Sequence, residues 1–342
     1  MSTNNVDNHV ADTFDRTATV SPAEFGIAIP AGSNVKPYPC FPMNHVFQDY
    51  VPSKDGDYVF EENVRRAVLM WFNFPMGQSL WLSGPTGCGK SSIIEQIANR
   101  FNWPLMKVTA FPEMDISSQI GGLRIVTDPK TGDTQTVFVH GPLAMAYKYG
   151  MVYLLDEYDQ LESSCANAFN TVLEGGNLII PETNEVIKKH SNFRFIATAN
   201  SIGQGDNTGV YGGVKMQNTA NLDRYMFVNA TYMAPEIEVN IITKYIPDPA
   251  IAMKFVNVAN KIRKQFIGNE MDLDSVNDTR LSVTCSTRSL KAWVTRFAIM
   301  RKAGIPNALI TAFDFHIGNR APADEKKALH TIVESIFGNL VD

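Results

Sequence analysis

The chain has 342 residues, enough for about two domains, with 44% hydrophobic residues, 19% charged residues and a formal net charge of -5. That mix can bury a sizeable core and argues against global disorder; the acidic balance argues against a dedicated nucleic-acid coat, and no apolar run approaches the ~18 residues of a membrane span. The four cysteines (Cys40, Cys88, Cys165, Cys285) form no C-x-x-C and the six histidines no H-E-x-x-H, which argues against zinc and disulfide frameworks and fits a reducing cytoplasm.

Residues 1–56 read as an extended arm. Its start, MSTNNVDNHVADTFDR, lacks the basic-then-apolar order of a secretory signal. The first ~20 residues read as a disordered leader. Pro22, Pro30, Pro37, Pro39, Pro42 and Pro52 remove backbone donors and disfavour helix in the rest. Phe25, Ile27, Ile29, Tyr38, Phe41 and Phe47 give it apolar groups with which to dock on a folded surface.

Residues 57–246 read as an α/β nucleotide-binding domain. Phe60, Val64, Ala67, Val68 and Trp71 recur at helical spacing. Ser79–Ser83 reads as a buried strand, followed by a glycine-rich turn and a helix over 92–101. Further strands fall near 104–109, 151–155 and 193–198, with a short one at 225–228. Helical patterns lie between them, which predicts a parallel sheet covered by helices on both faces. Two hairpins are predicted, at 119–140 with a turn at 128–133, and at 178–187 with a turn at Thr183-Asn184. Residues 247–342 lose the strand signal. Helices are predicted at 249–267, 287–302, 305–315 and 323–337, giving a small all-helical domain. No internal repeats are visible.

The strongest motif is Gly84-Pro85-Thr86-Gly87-Cys88-Gly89-Lys90-Ser91, a complete G-x-x-x-x-G-K-S between an apolar strand and a helix. Its glycines let several backbone N–H groups point at one phosphate, and the following helix, which Ser92 joins, adds its positive end. Lys90 is expected to reach the β- and γ-phosphates of ATP, and Ser91 to bind Mg²⁺. The run Met151-Val152-Tyr153-Leu154-Leu155 delivers Asp156 and Glu157 at a strand's C-terminal edge, where open sheets bind ligands. Asp156 suits a place around the Mg²⁺ ion, behind its directly bound oxygens, and Glu157 the base that orients the attacking water. Asn200, at the tip of the next strand, suits a group that senses the γ-phosphate or the water.

In order and spacing these residues resemble the AAA+ ATPases: the phosphate loop, then LLDEYD, ATAN, Leu222-Asp223-Arg224 and Ser286-Thr287-Arg288. The segments WLSGPTGCGKSSIIEQIANRFNWP, FRFIATANSIGQGDNTGVYGG and NLDRYMFV, with Glu24 to Ile27 of the arm and DYVFEENV, resemble the group of CobS, MoxR and the magnesium-chelatase ATPases. The resemblance implies a P-loop AAA+ module followed by a helical lid. It implies a homo-oligomeric, hexameric ring with ATP between neighbours. In it Arg224 matches an arginine finger, Arg288 a second sensor, and the hairpins match insertions facing the pore. It also implies a CobT-like partner with a von Willebrand-type domain and a large chelatase subunit, the task being cobalt insertion into a corrin ring. No metal-chelating or corrin-binding residues are visible in this chain, and that chemistry belongs to the family's other subunits.

Other tasks stay open. A MoxR-like ATPase, phage-encoded forms included, would remodel a von Willebrand-domain partner or another protein with the same site. A DNA-replication motor or clamp loader is disfavoured by the acidic charge and by the lack of a basic stretch interleaved with aromatics. ATP as a purely structural ligand is disfavoured by the full set of acids and arginines.

Overall fold

A proline-rich segment cannot offer a helix to the core, so it packs by its rings instead. In the computed structural model, which describes residues 14–127, 131–205, 213–266 and 281–338, the arm contributes β1 (Ala18–Val20) and β2 (Tyr38–Cys40). These pair antiparallel with Ala18 opposite Cys40. Phe14 stacks on Phe41 at 4.3 Å, and Phe25, fully buried, lies 4.8 Å from the Phe101 ring. The Arg16 guanidinium covers the Trp103 ring at 4.7 Å and donates to Asn73 Oδ1 at 2.9 Å. Residues 1–13 of the expected leader lie outside the described residues. Residues 14–20 are packed, since Phe14 is buried and Ala18–Val20 is a strand. Of the six arm residues expected to dock, Phe25, Phe41 and Phe47 are buried, Ile27 and Tyr38 are half-buried and Ile29 is exposed.

The chain divides into two compact units. Among the described residues the first runs through Ser83 and takes in Lys90–Gly205 and Gly213–Asn229. It contains α1 (Glu62–Asn73), β3 (Ser79–Ser83), α2 (Lys90–Arg100), β4 (Leu105–Thr109), α3 (Ile116–Ile120), β5 (Gly121–Thr127) and β6 (Thr134–His140). There follow α4 (Pro142–Tyr149), β7 (Val152–Asp156), α5 (Ser163–Ala168), α6 (Asn170–Leu173), β8 (Leu178–Ile180) and β9 (Glu185–Ile187). The unit closes with β10 (Arg194–Ala199), α7 (Thr219–Leu222) and β11 (Tyr225–Asn229).

Five strands form one parallel sheet in the order β11-β3-β10-β7-β4. β3 and β10 are buried along their whole length, as runs without polar alternation must be when helices cover both faces. The register sets Ser83 beside Ala199 and Leu155 beside Ala197. The C-terminal ends of β3, β7 and β10 therefore come out at one edge. α1 is capped by Glu61, whose carboxylate accepts from the amides of Asn63 and Val64, and it buries Val64, Val68, Leu69, Trp71 and Phe72.

Both predicted hairpins are present as separate two-stranded sheets, β5 with β6 and β8 with β9. Residues 128–130 of the first turn lie outside the described residues. The second turn places Asn184 at φ 56°, the left-handed region that asparagine tolerates best after glycine. Each hairpin exposes branched apolar side chains, Ile125 at 78% and Ile179 at 60% among them.

The second unit takes in Gly84–Gly89 and the chain from Ala230 onward. Its helices are α8 (Pro235–Ile242), α9 (Pro249–Gln265), α10 (Thr287–Lys302), α11 (Ala308–His316) and α12 (Ala323–Phe337). Asp248 caps α9 and Ser286 caps α10, each accepting from first-turn amides. The core centres on Trp293, whose ring lies 4.6 Å from Phe255 and 5.0 Å from Phe313 and whose N–H reaches the Leu309 carbonyl at 3.0 Å. The helix expected from 305 starts at Ala308 because Asn307 is left-handed, at φ 52°. Among the described residues no helix is long and apolar enough to cross a membrane.

Candidate functional site

The edge where β3, β7 and β10 end carries most of the polar residues singled out in the sequence. Lys90 and Ser91 open α2, Asp156 ends β7 and Asn200 follows β10. Ser91 Oγ donates to Asp156 Oδ1 at 2.7 Å, and Lys90 Nζ donates to Asn200 Oδ1 at 3.0 Å. The Thr198 hydroxyl also donates to Asp156 Oδ1, and Lys107 Nζ stands 3.4 Å from Asp156 Oδ2. Burial alone would raise the Asp156 carboxyl. The two hydroxyls and the Lys107 ammonium outweigh it and hold the group below its ordinary value, so it stays ionised. A hydroxyl and an ionised carboxylate in contact are hard oxygen donors of the kind Mg²⁺ takes.

Glu157 occupies the next position in a conformation glutamate seldom adopts, at φ 59°. The turn leaves its side chain exposed, with Oε2 accepting from Gln160 Nε2 at 2.6 Å. Behind it, Asp159 is fully buried. Its Oδ2 accepts the amides of Asn200 at 2.8 Å and Ser201 at 3.0 Å. Burial raises its carboxyl above the ordinary value despite those amides. Ser92 is half-buried in the first turn of α2.

The loop Gly84–Gly89 belongs to the second unit. Gly87, at φ 75°, needs its hydrogen side chain twice over, because a Cβ there would also lie 2.3 Å from Ser286 Cβ. A Cβ on Gly84 would lie 2.1 Å from the Ala230 carbonyl oxygen. Pro85, Thr86 and Cys88 complete the curl, closed by the Cys88 amide donating to the Pro85 carbonyl at 3.3 Å. Arg288, in the first turn of α10, lines an open cleft where Lys291, Arg296 and His316 stand beside the apolar Ala292 and Ile299.

Arg224 stands apart. It precedes β11, and its carbonyl accepts the Ser79 amide at 3.0 Å, so it lies at the N-terminal end of the strands. Its guanidinium pairs with Glu174 and with the Ala220 carbonyl.

Sequence reasoning passed over Thr198, Lys107 and Asp159. One signal was available for Thr198. It stands two residues before Asn200 at the end of a strand, and residues i and i+2 of a strand share a face. Asp159 closes the LLDEYD motif, but only its tertiary neighbours give it the role of holding Asn200, and Lys107 offers no such signal at all.

The AAA domain (dynein-related subfamily) matches residues 79–209. Over 243 residues the chain is 34% identical to the aerobic cobaltochelatase subunit CobS of Sinorhizobium sp., spanning 69% of this chain and 71% of that protein. It is 28% identical over 219 residues to midasin of Giardia intestinalis, spanning 62% of this chain but 4% of midasin. Among solved structures, a Thermotoga maritima RuvB mutant aligns at a TM-score of 0.47 and 12% identity, over 75% of this chain and 71% of that one.

Proposed function

The chain belongs to the AAA+ ATPases, in the group of the cobaltochelatase subunit CobS, and from that premise we propose that it hydrolyses ATP as a ring and spends the energy on remodelling a partner complex. The observation that carries the site is the meeting of Lys90 with Asn200 and of Ser91 with Asp156 at one sheet edge. In this reading the loop 84–89 and Lys90 hold the phosphates, and Ser91 and Asp156 hold Mg²⁺. The ion, when bound, supplies positive charge to the phosphate oxygens. Glu157 polarises the attacking water, and Asn200 orients it. Arg288 reaches the nucleotide, and Arg224 completes a neighbour's site in a hexamer.

The task that fits the CobS relative is cobalt insertion into a corrin ring, in the cytoplasm. The chain would act there as the energy-transducing subunit beside a CobT-like protein and a large chelatase subunit. The exposed Ile125 and Ile179 give each hairpin an apolar grip. The same grip serves a MoxR-like remodeller of another protein, so the cargo is decided by the partner.

Two substitutions test the site. Lys90→Ala removes a charge-assisted contact, so ATP affinity by calorimetry should fall about 10–100-fold with the fold intact. Glu157→Gln keeps the shape but loses the group that polarises water. It should bind ATP and release almost no phosphate. Unchanged affinity in the first, or wild-type turnover in the second, would sink the assignment.

A further inference from the structure

A glycine-rich loop binds phosphate only if its peptides show the right edge. The peptide joining Thr86 to Gly87 is planar and trans, so the Thr86 oxygen and the Gly87 N–H point to opposite sides. The oxygen edge repels an anion and the N–H edge attracts it. Gly87 has the backbone freedom to let this peptide turn over, so something must hold it.

Within the second unit, Tyr232 donates its hydroxyl to the Thr86 carbonyl at 3.0 Å, and the same hydroxyl oxygen lies 3.4 Å from Thr284 Oγ1, whose hydroxyl can donate to it. Its ring lies over the Arg263 guanidinium, 4.2 Å from centroid to Cζ. That guanidinium cannot turn. It meets both oxygens of Glu238 at 2.7 and 2.9 Å, Asn260 Oδ1 at 2.9 Å and the Cys285 carbonyl at 2.7 Å. The pair is almost wholly buried, Glu238 at 0% and Arg263 at 4% exposure. Glu238 Oε1 also accepts the Thr287 hydroxyl at 2.7 Å, on the first residue of α10 and next to Arg288.

Buried ion pairs add little net stability over apolar residues of the same volume. This one does what an apolar pair cannot. It sets a flat, fixed cation under an aromatic ring, and it ties the start of α10 to the same carboxylate. We propose that Tyr232 is a positioning residue for the phosphate loop, with the Glu238–Arg263 pair as its anchor. The hydroxyl pins the Thr86 carbonyl outward, so the Gly87 N–H stays on the other side, ready for an anion. The proposal deepens the ATPase reading and rests on it.

Tyr232→Phe is the test, because it keeps the ring over Arg263 and removes only the hydroxyl. Losing one such bond should speed amide exchange at residues 87–89 of the nucleotide-free protein by about 2–10-fold. The KM for ATP should rise by about the same factor, with kcat within about twofold of wild type and a melting temperature lowered by no more than about 4 °C. Tyr232→Leu, which also removes the ring, should give the larger effect on both. Wild-type exchange in the loop of Tyr232→Phe, or an unchanged KM, would overturn the proposal. A wild-type protein that binds no ATP would instead sink the ATPase reading. Loop exchange needs no nucleotide and separates the two failures.

Discussion

Asp159, the last residue of LLDEYD, shows how one motif can govern a residue of another. Its buried Oδ2 takes two consecutive amides, those of Asn200 and Ser201, and so fixes the turn that presents Asn200 to Lys90. Asp159→Ala leaves both amides without that acceptor. At about 1–3 kcal/mol for each unsatisfied buried group, the loss should be about 2–4 kcal/mol in urea unfolding, net of relaxation. Asp159→Asn keeps one oxygen and should lose less than half as much. Equal losses in the two variants would show that the amides are not what the carboxylate is there for. Lys90, Ser91, Asp156 and Asn200 could be read from order alone, because a strand, a tight loop and a helix put fixed positions at one sheet edge. Asp159 could not, because its partners lie some forty positions away on another strand's end. Tyr232 was hidden for the same reason, since its partner Thr86 is in the loop and its platform in α9.

At the scale of elements, long apolar runs were the legible part. The five sheet strands fall within a residue or two of the runs that suggested them; β3, β7 and β10 are almost wholly buried apolar runs, while the edge strands β4 and β11 alternate buried and more exposed positions. Three-residue strands such as β1 and β2 carry too little pattern, and their pairing spans a long loop that local propensity does not encode. The contact between the two hairpins was equally unreadable. Glu185 of β9 receives Lys148 of α4 at 3.0 Å and His140 of β6 at 2.8 Å. Burial pushes the Glu185 carboxyl up, but the bonds from Lys148 and His140 outweigh it and hold the group below its ordinary value of 4.5. A carboxylate depressed in the folded state stabilises above the unfolded value, and that gain is lost as pH falls through the lower, folded one. Wild type should therefore exceed Glu185→Gln by a modest margin, about 1 kcal/mol for a half-buried cluster at the surface. The margin should hold above pH 4.5 and close below it in urea unfolding. A margin independent of pH would mean that the carboxylate's charge contributes nothing to holding β6 and β9 together.

The whole molecule raises the question of where catalysis is completed. Lys90 follows the C-terminal end of β3, whereas Arg224 sits beside its N-terminal end, where its carbonyl takes the Ser79 amide. β3 and β11 run parallel with Ser79 beside Tyr225 and Ser83 beside Asn229. At about 3.3 Å per residue the intervening strand separates the two by some 13 Å before either side chain is counted. Arg224 also points to Glu174, and its side chain is 25% exposed. A guanidinium so placed has little reach toward its own Lys90, so the part proposed for it in hydrolysis would have to be played across a subunit boundary. An arginine delivered to a neighbour spreads positive charge over the transferring phosphoryl group and is worth roughly 10³–10⁵ in rate, or about 4–7 kcal/mol. Arg224→Ala should then nearly abolish hydrolysis while leaving ATP affinity of an isolated subunit almost unchanged by calorimetry. Mixing Arg224→Ala with Lys90→Ala sharpens the test, because each should be nearly inactive alone. A mixed ring contains some boundaries where an intact phosphate loop faces an intact Arg224. Part of the activity should return on mixing, with a maximum near equal amounts. Wild-type turnover by Arg224→Ala alone would remove the residue from catalysis. Turnover per subunit that is independent of protein concentration, in a chain that stays monomeric with ATP, would remove the ring as well.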